Sequence, residues 1–162
     1  MAVDIFLKIN DDTVKGEAQD KTHKQEIDVL AWSFGMSNSG STHAGGGGGA
    51  GKVNVQDLSV TKYVDSSSPA LMLACCNGAH FASALLTVRK AGKTPLEYIK
   101  ITMTEVLITS VSTGGSGGED RLTENVSLNF SKVQMDYTPQ KADGTADTTK
   151  TMTWNIAENV NE

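Results

Sequence analysis

The chain holds little of what redox, nucleic-acid or membrane chemistry requires. Its only two cysteines, Cys75 and Cys76, are neighbours, and a bond between adjacent residues is strained and closes no useful loop. They read as reduced thiols, consistent with synthesis in the cytoplasm. Positive charge is scarce as well: 14 Lys and Arg stand against 19 Asp and Glu, for a formal charge of −5. The basic residues are scattered, whereas a nucleic-acid partner needs a concentrated basic surface to displace counterions. No apolar run approaches the ~20 residues of a membrane-spanning helix. Asp4 and Lys8 interrupt the first apolar stretch, so it does not supply the unbroken segment of a signal peptide. The expectation is a soluble protein, not inserted in a membrane and not exported by a classical signal.

Catalytic signatures are equally sparse. His23, His43 and His80 lie far apart, and no close Cys/His spacing announces zinc. No glycine-flanked nucleophile elbow appears. A reactive cysteine would need an electropositive setting, yet Cys75 and Cys76 sit in the apolar stretch Leu71-Met72-Leu73-Ala74, where packing is the simpler account. These absences predict no metal, no cofactor and no catalytic residue.

Glycine is what the chain has in abundance. Gly45, Gly46, Gly47, Gly48 and Gly49 are consecutive, and Gly46 to Lys52 satisfies the G-x-x-x-x-G-K part of a phosphate-binding loop. The next residue is Val53, where that chemistry needs a Ser or Thr hydroxyl on magnesium. A phosphate loop must also open a helix whose amides face the anion, whereas Val53-Asn54-Val55 has the β-branched content of a strand. The stretch reads as a long, pliable connection between strands. Nucleotide binding remains only as a remote alternative.

Most of the remainder alternates like strand. Residues 4–9 open one, and a polar stretch over 10–24 leads to a second at 25–34. There period-2 spacing puts Leu30, Trp32 and Phe34 on one face, predicted as core, and Ile27, Val29, Ala31 and Ser33 on the other. A loop over 37–52 precedes a strand from Val53 to about Val64. Ser66-Ser67-Ser68, Pro69 and Gly78 bracket the one clear helix, with serine at its start, proline in its first turn and glycine past its end. Strands follow at 83–90 and 97–108, the second burying Ile99, Ile101 and Met103. Past a second glycine-rich loop, Val126, Leu128 and Phe130 alternate, and then Val133, Met135 and Tyr137, so a bulge is expected at Ser131-Lys132. A last strand occupies 150–156. Trp32 and Trp154 read as packing residues in these strands rather than as a sugar platform. Glu119, Asp120 and Arg121 read as a solvated loop base whose charges pair with the next strand or a neighbouring subunit. The length suits one domain, residues 1–162. Its class is mainly β: a β-barrel of two packed antiparallel sheets with one short flanking helix and long glycine-rich loops.

Several blocks carry a resemblance. Glu26-Ile27-Asp28-Val29-Leu30-Ala31-Trp32-Ser33, Gly51-Lys52-Val53-Asn54-Val55-Gln56-Asp57-Leu58-Ser59 and Val111-Ser112-Thr113-Gly114-Gly115 are similar to segments of the haemolysin-coregulated protein family, Hcp. So are Gly118-Glu119-Asp120-Arg121-Leu122-Thr123-Glu124-Asn125-Val126 and Tyr137-Thr138-Pro139-Gln140-Lys141-Ala142-Asp143-Gly144. The blocks span nearly the whole chain in order. The resemblance implies a tube protein of the bacterial type VI secretion system, a barrel that forms homohexameric rings. Those rings stack into a tube driven by a contractile sheath, with spike and baseplate proteins as partners and small effector proteins in the lumen. It implies a protein made in the cytoplasm and secreted through that apparatus. The extended connection containing Gly45 to Gly49 becomes the ring-stacking loop, Ser33 a lumen residue touching effectors, and Glu119, Asp120 and Arg121 subunit-interface candidates. A contractile phage-like tail tube shares the fold and is the structural alternative.

Overall fold

Apolar side chains at alternate positions of β1 (Val3–Ile9) place Leu7 and Ile9 in the core, and the same period organises most of the chain. The computed structural model describes residues 2–41 and 51–162. After β1 come β2 (Ile27–Ser33), β3 (Met36–Asn38), β4 (Val53–Val55) and β5 (Leu58–Tyr63). The helix α1 (Ser68–Asn77) precedes β6 (His80–Lys90), β7 (Leu96–Gly114), β8 (Thr123–Tyr137) and β9 (Lys150–Asn155).

The main sheet runs β5-β2-β1-β6-β7-β8-β9, and a further pairing of β5 with β8 closes six of these strands into a barrel. Every pairing is antiparallel. Closure covers the edge of β5 that an open sheet would present, and leaves β9 as the sheet's edge strand. β3 and β4 form a separate two-stranded arm. The barrel is filled by Leu7, Leu58, Leu86, Ile101, Met103, Val106, Val126 and Leu128, among others, all essentially without solvent contact.

The helix begins and ends where its sequence says. Pro69 lies in the first turn, where its missing N–H costs nothing, and Gly78 takes the left-handed conformation (φ 66°) that ends the helix. Leu71 and Ala74 are buried beneath it, against the barrel. A helix rotates about 100° per residue, so the two thiols part company: Cys75 packs partly against the core and Cys76 is exposed. Packing therefore accounts for the first cysteine and not for the second.

Three expectations change. In β2 the core side is Ile27 and Val29, while Leu30 is 45% exposed, the reverse of the predicted bulky face. The pairing with β5 jumps from Val29/Lys62 to Ala31/Thr61. Leu30 is the extra residue of a bulge. Beyond it the inward phase passes to Trp32 and Phe34, which pack against the core. The strand predicted from Val53 to Val64 is two strands, because Gln56 turns to bond the Gly35 carbonyl (2.9 Å) and β4 joins the arm with β3. Residues 37 and 38, predicted as loop, belong to that arm.

The third change concerns the phase switch at Ser131-Lys132. Phe130 and Val133 are both buried, as the pattern requires, yet the β7 register runs through without a shift, Thr104 opposite Lys132 and Val106 opposite Phe130. Both strands switch face together. Glu105, with φ 54°, is the β7 residue that turns the corner, so Met103 and Val106 both reach the interior. The register shift in this pair lies between Ile108 and Ser110 instead.

Candidate functional site

The β2 bulge decides what the barrel shows to solvent around Ser33. Leaving the bulge, Trp32 turns inward, and Ala31 and Ser33 turn outward and are exposed. Ser33 pairs with Ser59, Ser59 with Ser127, and Ser127 with Ser110. One row of four serines thus crosses β2, β5, β8 and β7. The next row is Ala31, Thr61, Asn125 and Ser112. None of these eight residues carries a formal charge.

The rows are tied together from within. The hydroxyls of Ser59 and Ser127 lie 3.3 Å apart, and the Thr61 hydroxyl donates to the Asn125 side-chain oxygen at 2.8 Å. At the rim, Asp57 accepts from the hydroxyl of Thr109 (2.6 Å) and from the amide of Asn129 (2.8 Å). A shallow depression of about 260 Å³ lies over Ser33, Ser59 and Thr61, with Asn125 on its side. Short side chains whose donors and acceptors are partly spent on one another make a flat, polar and weakly adhesive surface. It offers hydrogen bonds without selecting for charge.

Behind this face stands a buried ion cluster. Lys62 and Glu124, each fully buried, meet across β5 and β8. The Lys62 ammonium also reaches Asp65 (3.0 Å) and donates to the Ser68 hydroxyl (3.2 Å). That hydroxyl donates to Glu124 at 2.6 Å, and Thr113 donates to its other oxygen at 2.9 Å. Burial pushes the Glu124 carboxyl up, but the hydrogen bonds from Lys62, Ser68 and Thr113 outweigh it and hold the group below the usual carboxylate range. The cluster joins the start of α1 to the two strands that carry the middle of the serine row.

The sequence-derived candidates fall in different places. Ser33 belongs to the uncharged face. Glu119, Asp120 and Arg121 are exposed in the connection from β7 to β8. Among the described residues none of the three makes a salt bridge; Arg121 instead lays its guanidinium over the Tyr63 ring, 3.8 Å from the centroid. Tyr63 ends β5, whereas Ser59, the partner of Ser33, lies near its start, so the two groups of candidates are not brought together. Gly45, Gly46, Gly47, Gly48 and Gly49 lie outside the described residues. Their flanks, β3 and β4, pair with one another, and the Asn38 amide donates to the Gly51 carbonyl at 2.8 Å. Val53 opens β4 rather than a helix, so Lys52 has no helix N-terminus beside it of the kind a phosphate loop uses.

The row to which Ser33 belongs was not read from the sequence. The signal was available in the short polar residues at alternate positions, Ser59 and Thr61 in one strand and Asn125, Ser127 and Asn129 in another.

Comparison with known proteins agrees with this architecture. Residues 6–137 match the family described as "Type VI secretion system effector, Hcp". The chain is 67% identical over 162 residues to Protein hcp1 of Pseudomonas aeruginosa, covering 99% of both chains. Among solved structures, one described as a type six secretion system protein superposes with a TM-score of 0.92 at 29% identity, over 99% of this chain and 100% of the other. Hcp1 of Salmonella typhimurium superposes with a TM-score of 0.81 at 39% identity, over the whole of both chains. A barrel closed by β5 and β8, with a single short helix and a match running through nearly all its strands, places the chain in the Hcp family of type VI secretion tube proteins.

Proposed function

We propose that the chain closes into six-membered rings, that the rings stack into a tube, and that the serine face lines the lumen and touches small effector proteins. What supports this reading is the pair of uncharged rows that begin at Ser33 and at Ala31, together with family membership. A conduit that carries proteins of differing charge needs a wall that holds none of them tightly. A flat wall of hydroxyls and amides does this, because each neutral hydrogen bond gained replaces one to water and contributes only about 0.5–1.5 kcal/mol net. The protein performs no catalysis in this role.

Identical copies in a ring make heterologous contacts whose rotation closes, and stacking adds an axial interface. Glu119, Asp120 and Arg121 are candidates for contact between subunits, and Gly45 to Gly49 for contact between rings. Sheath, spike and baseplate proteins complete the assembly. The chain is made in the cytoplasm and leaves through this apparatus without a signal peptide.

Co-purification with a small effector tests the lumen assignment. Ser33→Gln sets a longer side chain into the first serine row. Intact rings that no longer retain the effector are expected; unchanged retention contradicts the placement of Ser33 in the lumen.

A further inference from the structure

Residues 10–26, which join β1 to β2, fold as a flap over the outer face of β1, β6 and β7. The flap closes on itself through Gly16 N–H to the Gln25 carbonyl (2.8 Å), Gln25 N–H to that of Ala18 (3.0 Å) and Ala18 N–H to that of Glu26 (3.1 Å). Ala18 and His23 are buried beneath it, while Val14 packs into the barrel core. Phe6 points out of the barrel, yet it is only 4% exposed because the His23 ring stacks on it, centroids 4.4 Å apart and planes 9° off parallel.

His23 is held from both ends. Its Nδ1 lies 2.9 Å from Glu26 Oε2, within the flap, and its Nε2 lies 2.7 Å from Glu97 Oε1, on β7. An ionised carboxylate only accepts hydrogen bonds, and a neutral imidazole has one N–H to give. With both carboxylates charged, this geometry is therefore that of the imidazolium.

The surrounding charges hold Glu97 in its ionised form and position the flap. Lys100 pairs with Glu97 at 3.0 Å. Burial pushes the Glu97 carboxyl up, but hydrogen bonds from Lys100 and His23 outweigh it and leave the group below its ordinary range. Asp20 accepts from the His23 backbone N–H (3.2 Å) and takes the Arg89 guanidinium on both oxygens (3.2 and 2.6 Å). Arg89, on β6, also pairs with Asp4 of β1 (3.0 Å) and lies over the Phe6 ring, 5.2 Å from its centroid. Glu26, Glu97, Asp20, Asp4, Arg89 and Lys100 are thus the charged groups around the ring.

We propose that His23 is a proton-operated clasp that holds the flap on the barrel while both ring nitrogens carry hydrogen and frees it as pH rises. Once the ring gives up a proton, one nitrogen turns a lone pair toward a carboxylate, and that arm repels instead of binding. Among the described residues the Glu97 contact is the ring's polar link to β7, so loss of the Nε2 hydrogen releases that strand. Arg89 and Asp20 hold the neighbouring turn at every such pH, so the clasp governs how tightly the flap closes rather than whether the barrel folds. It lies away from the Ser33 face and stands whether or not that face lines a lumen.

Hydrogen exchange of the full-length protein, followed by mass spectrometry from about pH 6 to about pH 9, reads the clasp directly. Rates are divided by those of the same peptides unfolded, which removes the intrinsic pH dependence. Flap peptides are expected to open more readily as pH rises, by up to about tenfold per unit once the ring is losing its proton, with barrel peptides unchanged. In Glu97→Gln the amide can donate to Nε2, so a neutral ring is satisfied on both sides; the flap should stay closed and its profile flatten. A wild-type flap whose corrected protection does not change with pH overturns the proposal, as does a Glu97→Gln flap with the wild-type slope.

Discussion

Lys62 and Glu124, opposite one another on β5 and β8, bury a complete ion pair in the wall of the barrel, and neither has measurable solvent contact. Taking two charges out of water is costly, and the return depends on further hydrogen bonds. Here Ser68 and Thr113 donate to Glu124, and Lys62 in turn donates to Ser68 and pairs with Asp65. Because Ser68 and Asp65 belong to the start of α1 and the turn before it, the pair sets the helix against the strands that carry the serine row.

Breaking the pair from one side should be severe. Glu124→Leu leaves a buried ammonium with only Asp65 and Ser68, and a loss of about 3–5 kcal/mol is expected. Replacing both charges, Lys62→Met with Glu124→Leu, should recover most of it. Urea denaturation of the three proteins measures the difference; a single variant as stable as the double would show that the pair contributes little.

The same pair gives a pH dependence. The folded Glu124 carboxyl titrates below its unfolded value, so its contribution is fully present above the unfolded carboxylate range of about 4.3. It is lost as pH falls through the lower folded value. Wild-type stability should therefore decline on acidification more steeply than that of the double variant. Parallel acid profiles would contradict this.

At Gly16 the flap comes against the start of β2 with no room for a side chain. A Cβ there would sit 2.4 Å from the Glu26 carbonyl oxygen and 2.7 Å from the Ile27 Cα, both backbone atoms that cannot swing aside. Gly16→Ala should cost about 1–3 kcal/mol, read as a lowered urea midpoint, with the flap peptides losing exchange protection first. An unchanged midpoint would mean that the flap yields freely.

Glu105 holds a left-handed conformation in mid-strand, which for a residue with a side chain costs about 1–2 kcal/mol. Glu105→Gly should be neutral or gain up to about 1 kcal/mol after the entropy of glycine is set against that strain, whereas a β-branched Glu105→Val should lose more than 1 kcal/mol, as about the least cost of forcing it there. Equal effects of the two would show that the corner does not need this backbone geometry.

How much of this was legible in the sequence follows from where the backbone stays regular. β1, α1 and the inward residues of β8 were readable, because Leu7 and Ile9, Pro69 and Gly78, and Val126 to Phe130 obey the ordinary periods without interruption. The core face of β2 was not, because a single bulged residue, Leu30, exchanges the faces halfway along. The corner at Glu105 was half legible. The pattern of β8 shows the phase change, but only the partner strand reveals that both turn together. His23 looked like an isolated histidine because Glu97 is 74 residues away in sequence. Ser33 is visible in its own strand as a short polar residue, but its row requires the pairing of four strands.

Shortening the glycine connection should separate ring closure from stacking. Deleting Gly46 to Gly49 is expected to leave single rings intact and to shorten tubes under matched conditions, by electron microscopy. Ordering each glycine would cost roughly 1–2 kcal/mol, so stacking is expected to be the weaker of the two proposed contacts. Tubes of equal length from both proteins would remove the connection from the axial interface.

The most direct test of the account is the mass and shape of the purified protein, by light scattering on a sizing column with negative-stain images of the same peak. A mass of six chains and rings with an open centre are the predicted result. A compact monomer at micromolar concentration would contradict it.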